Sequence, residues 1–167
     1  MRRLTSILGL SGVLLSGALF LVAPAGVLAH ESREVLDGQY HLVVGFMNEP
    51  VFAGDKSGLE FWVTENSGTA TPSASDEEAE GTPIDGLEAT LKGEVIYEDQ
   101  TMELPLTGKW DDPSGYYSVF FPTQWEGDYS FRIYGTINGT DIDETFTSGP
   151  ETFGPIQNPE PLRFPVK

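Results

Sequence analysis

The chain has 167 residues, of which 26 are acidic and 9 are lysine or arginine, and its formal net charge is −17. Such a charge repels nucleic acid and anionic lipid, so no nucleic-acid partner is expected. The sequence contains no cysteine, which excludes disulfides, thiolate catalysis and cysteine-ligated metal centres.

Residues 1–29 have the pattern of a secretory signal peptide. Two arginines precede an apolar stretch at residues 4–22, Pro24 then breaks the helix, and Val27 and Ala29 are the small residues of a cleavage site. We therefore expect cleavage after Ala29 and an exported product that is periplasmic, on the cell surface or extracellular. The apolar stretch approaches the roughly 20 residues that span a membrane, so an uncleaved anchor is the alternative and the one expected route to a membrane.

The rest of the sequence predicts β-strands separated by turns, without a convincing helical periodicity. In residues 39–47, side chains alternate between two faces, as expected of a strand. Asn138-Gly139 has the composition of a two-residue hairpin turn, and Pro105 is typical of an edge strand because proline lacks an N–H donor. Seven strands are predicted in chain order, at residues 39–47, 59–64, 88–98, 102–106, 116–121, 128–137 and 140–147.

This pattern predicts an all-β fold, a seven-stranded antiparallel immunoglobulin-like sandwich over residues 30–148. Tyr129 follows a Gly-Asp turn at the start of the sixth predicted strand. A tyrosine in that place is similar to the tyrosine corner of such sandwiches, whose hydroxyl bonds to nearby backbone. We expect the hydroxyl of Tyr129 to make a bond of this kind.

Two segments are predicted to lie outside the strands. Residues 66–83 are polar and acidic, and we expect an acidic flexible loop because they offer too little apolar surface to bury. Their carboxylates lack the alternating spacing of a calcium-binding loop. Residues 149–167 contain five prolines and predict an extended, proline-rich tail.

The candidate chemistry depends on the only two histidines of the chain, His30 and His41. If cleavage falls after Ala29, His30 becomes the first residue and can chelate a metal through its α-amine and its ring. Imidazole and amine donors suit copper, and His41 or Met47 would supply a further ligand. The sequence therefore predicts a copper cofactor with His30, His41 and Met47 as candidate ligands.

A turn at residues 37–38 bears on which of these ligands can meet. A two-residue hairpin there would place His30 opposite Gly45. His30 would then lie about 13 Å from His41 along the strand direction and diagonal to Met47. The hairpin thus favours a site made by His30 and Met47, whereas the two histidines meet only if the N-terminal arm folds back or stays unpaired.

The sequence offers little support for an enzyme. A Ser–His–Asp triad needs a histidine positioned by a carboxylate, and both histidines lie near the predicted N-terminus of the mature chain. A carbohydrate-acting protein would need exposed aromatic side chains around Trp110 beside two facing carboxylates. Trp110 is predicted to be exposed, and most other aromatic side chains are predicted to fill the core.

The runs HESREV, GQYHLVVGFMNEPVFAG and GDYSFRIYGTING resemble uncharacterised bacterial exported proteins. Those proteins share a histidine-first mature chain and an immunoglobulin-like sandwich. More distantly, the plan resembles the CopC-like copper-resistance domains, which are secreted, cysteine-free β-sandwiches with an N-terminal histidine. This resemblance implies that His30 is the N-terminal copper ligand. Those domains place a second histidine and an aspartate late in the chain, whereas no histidine follows His41 here.

The sequence as a whole predicts an exported binding module of the bacterial cell envelope that is not an enzyme. Its predicted partner is a metal ion, copper, bound or delivered through His30. The alternative is a structural or protein-interaction domain that contacts another envelope protein and holds no metal.

Overall fold

A computed structural model describes residues 29–66, 81–123, 125–150 and 152–165 of the chain. The predicted signal segment up to residue 28, and residues 67–80 of the predicted acidic loop, lie outside these ranges. In the described ranges, no helix is long and apolar enough to cross a membrane.

The described residues form twelve β-strands and two short 3₁₀ turns, the turns at Leu87–Ala89 and Glu160–Leu162. The strands are β1 (His30–Val35), β2 (Tyr40–Phe46), β3 (Lys56–Ser57), β4 (Leu59–Glu65), β5 (Thr82–Pro83), β6 (Leu91–Tyr97), β7 (Gln100–Leu104), β8 (Leu106–Gly108), β9 (Gly115–Ser118), β10 (Phe121–Pro122), β11 (Ser130–Ile137) and β12 (Thr140–Thr147). The predicted all-β class is therefore confirmed.

The strands build two main antiparallel sheets. The first sheet has the order β1-β2-β4-β9-β8, with β5 paired to β4, and the second has the order β12-β11-β6-β7. The short strands β3 and β10 pair with each other. Two antiparallel sheets around a shared core make a β-sandwich, which is the architecture that the alternating pattern predicts.

The core lies between the two sheets and takes alternate residues mainly from the longer strands β2, β4, β6, β11 and β12. Each large apolar side chain that is fully buried contributes roughly 1.5–3 kcal/mol to folding. The first sheet contributes Tyr40, Leu42, Val44, Phe46, Leu59, Phe61, Val63 and Tyr116. The second sheet contributes Leu91, Val95, Leu104, Phe131, Ile133, Ile137, Ile142 and Phe146. The intervening residues of β2 and β4 consequently point to the outer face of the first sheet.

The turn between β11 and β12 follows the sequence prediction, whereas the turn between β1 and β2 is longer than the predicted two residues. Asn138 and Gly139 connect β11 to β12 with φ angles of 49° and 83°, and two positive φ angles are what a type I′ hairpin needs. The turn between β1 and β2 takes residues 36–39, and Leu36, Asp37 and Gly38 in it have φ angles of 51°, 56° and 80°. The predicted register of this hairpin is confirmed, because His30 lies opposite Gly45.

The strand boundaries differ from the prediction at Pro105. The predicted strand at residues 102–106 is divided there, so that β7 ends at Leu104 in the second sheet and β8 begins at Leu106 in the first. Both β7 and β8 are edge strands of their sheets, which agrees with the edge position expected of Pro105. The described residues therefore hold more strands than the seven predicted, and β1 is among the additions.

The residues after β12 also pack against the sandwich. Phe153 and Ile156 are buried in the core, and Ile156 forms an antiparallel bridge with Gly127. The hydroxyl of Tyr129 donates to the carbonyl of Trp125 at 3.2 Å, which is the backbone bond expected of a tyrosine corner. A segment predicted only as an extended tail therefore contributes to the core.

Candidate functional site

The ring of His30 lies across a neighbouring strand on the outer face of the first sheet. Its strand partner is Gly45, and a Cβ placed on Gly45 would come within 2.5 Å of Cδ2 of His30. The missing side chain therefore gives the ring room to cross β2. On the far side of β2, Nε2 of His30 lies 3.1 Å from Oε1 of Glu60, the residue of β4 opposite Gly45.

Glu60 is held by a second cation. The Nζ of Lys109 lies 3.0 Å from Oε2 of Glu60 and 4.2 Å from the centre of the Trp62 ring. The stem of Lys109 reaches this position over Gly115, where a Cβ would meet its Cδ at 2.6 Å. Burial acts to raise the pKa of Glu60, but the hydrogen bonds from His30 and Lys109 outweigh it and lower that pKa. Glu60 is thus a carboxylate with a donor on each oxygen.

Trp62 forms one wall of this site. Its ring meets that of His30 edge to face, with centres 5.1 Å apart, and its Nε1 donates to Oδ2 of Asp112 at 2.8 Å. The other oxygen of Asp112 accepts the main-chain N–H of Ser114 at 3.0 Å and its hydroxyl at 2.6 Å. We call His30, Glu60, Trp62, Lys109 and Asp112 the His30 network. The wall is fixed by the loop before β9.

Main-chain hydrogen bonds decide which way the nitrogen of His30 faces. The N–H of Met47 donates to the carbonyl of Gly58, just before β4, at 2.9 Å. At the other end of β2, the carbonyl of Gln39 accepts from the N–H of Asn66, just after β4, at 2.8 Å. Because alternate residues of an antiparallel strand bond to opposite neighbours, Gly45 also bonds to β4. The nitrogen of its partner His30 therefore faces the edge of the sheet, where β1 is the last described strand.

The ring nitrogens of His30 have different surroundings. Nδ1 and Cδ2 are attached to opposite sides of Cγ in an imidazole, and Cδ2 lies over Gly45. Nδ1 consequently faces away from β2, whereas Nε2 meets Glu60. The main-chain nitrogen and Nδ1 of His30 thus lie away from the strand that the ring crosses.

His41 is not brought to His30. It lies opposite Glu34 in the hairpin, about 13 Å along the strand from the register position of His30. Its Nε2 is 2.5 Å from the hydroxyl of Ser32. The N-terminal arm therefore pairs with β2 in the predicted register. This is the arrangement in which the two histidines do not meet.

Met47 lies beside the His30 network but leans toward β4. Its Sδ covers Gly58, where a Cβ would approach the sulfur to 2.5 Å. The main-chain nitrogen of His30 faces the opposite edge of the sheet. Among the residues described, no group of three or more histidine, cysteine, aspartate or glutamate side chains is placed to hold a metal ion. The ligand set of His30, His41 and Met47 stays a prediction.

Four members of the His30 network are absent from the predicted set of site residues, which named only His30, His41 and Met47. Alternation along β4 places Glu60 and Trp62 on the outward face, so a search for polar and aromatic residues facing outward beside a histidine strand would have found both. Lys109 and Asp112 lie in the loop between β8 and β9. No sequence spacing connects that loop to His30, because the contact forms only when β9 pairs with β4.

A second acidic side chain, Glu49, lies near the network. Its Oε1 accepts the N–H of Gly154 at 3.2 Å. Burial raises the pKa of Glu49 to about 7 from an ordinary value of 4.5, although the bond from Gly154 and the charges of His30 act in the other direction. Glu49 therefore takes up a proton on folding at mildly acidic pH.

The pKa of Glu49 gives a prediction for stability. Because the folded pKa is raised, the free energy of unfolding should fall as pH rises from about 4.5 to 7 and then level off. The full shift corresponds to about 3 kcal/mol, and we expect about half of it because Glu49 is partly exposed. Glu49→Gln keeps an acceptor for Gly154 and should remove this fall. Urea unfolding at pH 5 and pH 8 measures it, and an equal pH dependence in both proteins would contradict the assignment.

Comparison with protein-family models gives no match to this chain, and comparison with curated proteins and with solved structures gives none either. The resemblance of the sequence to exported histidine-first proteins and to CopC-like domains is therefore still a prediction. The function has to be argued from the residues and contacts described above.

Proposed function

We propose that this protein is an exported binding module that holds Cu(II) at His30 after cleavage behind Ala29. One observation carries the proposal: the ring of His30 crosses Gly45 to place Nε2 on Glu60. This leaves the main-chain nitrogen and Nδ1 of the same residue on the side away from β2. In the cleaved chain that nitrogen is a free amine.

The chemistry of these two nitrogens favours copper. The α-amine and Nδ1 of one histidine close a six-membered chelate ring with a metal, whereas Nε2 is too far from the amine to do so. Nitrogen donors of this kind suit Cu(II) better than the hard cations that prefer oxygen. A metal-binding histidine ordinarily donates its other ring N–H to a carboxylate or carbonyl, and Glu60 occupies that place for His30.

The charge of the chain supports capture of a cation. Removal of residues 1–29 takes away two arginines and no acidic residue, so the formal charge changes from −17 to −19. A field of this sign raises the local concentration of cations and speeds their association. The two nitrogens of His30 leave other positions of Cu(II) for a ligand from outside the chain, which suits an ion that is passed on.

The test is a titration of Cu(II) into protein that begins at His30, against a competing chelator. We expect one tight site, with nitrogen hyperfine structure in the electron paramagnetic resonance spectrum. His30→Ala should weaken it on the order of 1,000-fold, about 4 kcal/mol. A matched control leaves a long fusion partner attached, which converts the amine of His30 into an amide, and it should lose the site as well. Equal binding by all three proteins, or an exported chain that starts elsewhere, would refute the proposal.

An interaction domain without metal is the second candidate, and exposed apolar side chains favour it. Phe120 and Trp125 are more than half exposed, and Trp110 is almost fully exposed, as its loop position predicts. Exposed aromatic residues are enriched where proteins meet partners. Under this candidate, replacing Phe120 and Trp125 together by serine abolishes binding to an envelope partner, whereas His30→Ala leaves it unchanged.

A further inference from the structure

We infer that Glu60 is a positioning residue for the metal, kept in place by Lys109, and that this pair selects Nδ1 of His30 as the copper ligand. The inference rests on the proposed function, because it concerns the same site. It assigns roles to two residues that do not themselves bind the ion.

The choice of ring nitrogen decides whether a chelate can form. An imidazole can bind a metal through either nitrogen, and the neutral ring carries a proton on the other one. Oε1 of Glu60 lies 3.1 Å from Nε2 of His30, and a carboxylate can only accept a hydrogen bond. Nε2 must therefore carry the proton, which leaves the lone pair on Nδ1, the ring nitrogen that can close a chelate ring with the α-amine of the same residue.

The contact between Glu60 and His30 is sheltered from water. The side chains of His30 and Glu60 are 15% and 14% exposed, so water competes weakly with the pair for hydrogen bonds. An exposed pair of this kind would be worth little. The shelter makes the orientation of the ring depend on Glu60.

Lys109 explains why Glu60 can orient the ring of His30 without binding the metal itself. The ammonium of Lys109 donates to Oε2 of Glu60 at 3.0 Å and lies over the ring of Trp62. That ring is held in turn by its hydrogen bond to Asp112. With each oxygen engaged, the carboxylate cannot rotate without losing a bond. Glu60 also lies on the β4 side of the His30 ring, whereas the main-chain nitrogen faces the edge of the sheet.

The sharpest test replaces one of the two acceptor oxygens of Glu60 by a donor group. Glu60→Gln has one acceptor oxygen, and an ammonium only donates, so Lys109 should take that oxygen. The NH₂ group then faces Nε2 of His30 and favours a ring with its proton on Nδ1. We expect the affinity for Cu(II) to fall about 10- to 100-fold, the range typical of lost outer-shell partners. Adding Lys109→Met returns the oxygen to His30 and should restore binding.

Two readouts separate positioning from a structural role. Nitrogen-15 chemical shifts of the metal-free protein report the tautomer of His30, which should be Nε2–H in wild type, Nδ1–H in Glu60→Gln and Nε2–H again in the double variant. A competition titration gives the Cu(II) affinity of each. Glu94→Gln is the matched control, because Glu94 is 16% exposed and pairs with Arg132 on the second sheet at 3.1 Å. It should change neither readout.

The outcomes distinguish this inference from the proposed function. If wild type binds Cu(II) through His30 and Glu60→Gln has the same tautomer and affinity, the inference is overturned and the proposed function stands. If wild type binds no Cu(II), both are overturned. Loss of affinity in Glu60→Gln without a change of tautomer, or without recovery in the double variant, also overturns the inference. Glu60→Gln is close in shape to wild type, and its amide spectrum shows whether it folds.

Discussion

Phe153→Ala should destabilise the protein by about 3–5 kcal/mol, the usual cost of truncating a buried phenylalanine. Phe153 is fully buried, with its ring centre 5.5 Å from that of Phe46 and 5.6 Å from that of Phe131. Phe46 belongs to the first sheet and Phe131 to the second. Truncation would therefore leave a cavity between the sheets, with a fall in Tm of roughly 10–15 °C for a domain of this size.

Phe164→Ala is the control for this prediction. Phe164 follows Phe153 in the same proline-rich segment but is 92% exposed, so its truncation should change stability by less than about 0.5 kcal/mol. Urea unfolding of the two variants beside wild type measures the difference. If residues 149–167 served only as an extended tail, the two variants would be equally stable.

Gly45→Ala should displace the ring of His30 and lower the affinity for Cu(II) about tenfold, which corresponds to about 1.4 kcal/mol. A methyl group at residue 45 would lie 2.5 Å from Cδ2 of His30 and 2.6 Å from the carbonyl oxygen of Ala29. In a chain that begins at His30, that carbonyl is absent and the ring is the group that must move. Its bond to Glu60 would be lost. We expect an additional cost of about 1–2 kcal/mol in stability from the crowding.

Gly149→Ala is the matched control, because the new methyl group would meet only the hydroxyl oxygen of Thr152 at an ordinary 3.5 Å. It should leave both the affinity and the stability close to wild type. Competition titration and urea unfolding measure the two quantities. A Gly45→Ala protein that binds Cu(II) as wild type does would show that the position of the ring over β2 is unimportant for the metal.

Local sequence patterns were sufficient for the class of the fold and for the hairpin that carries His30. Period-two alternation in residues 39–47 predicts which side chains of β2 enter the core. The glycines at residues 38 and 139 mark turns whose positive φ angles suit glycine. The alternation and the turns depend only on residues that are close in the sequence. The register that places His30 opposite Gly45 follows from counting outward from such a turn.

The strand boundaries were less predictable, because they depend on what each strand pairs with. Nothing local shows that the chain leaves the second sheet at Leu104 and enters the first at Leu106. Likewise, the short strand β10 exists through its pairing with β3, more than 60 residues earlier. Trp125 is exposed, although its size favours a place in the core.

The sequence by itself determined the all-β class of the chain, and it predicts an N-terminal histidine after cleavage. Alternation, turn residues and the cleavage pattern are all features of residues that are adjacent in the sequence. Only the tertiary structure decided what surrounds that histidine. Glu60 reaches His30 through the pairing of β2 with β4, and Lys109 reaches Glu60 through the pairing of β4 with β9. Phe153 joins the core only after both sheets are in place. These contacts join distant parts of the chain, and packing of the whole sandwich, which no short segment encodes, brings them together.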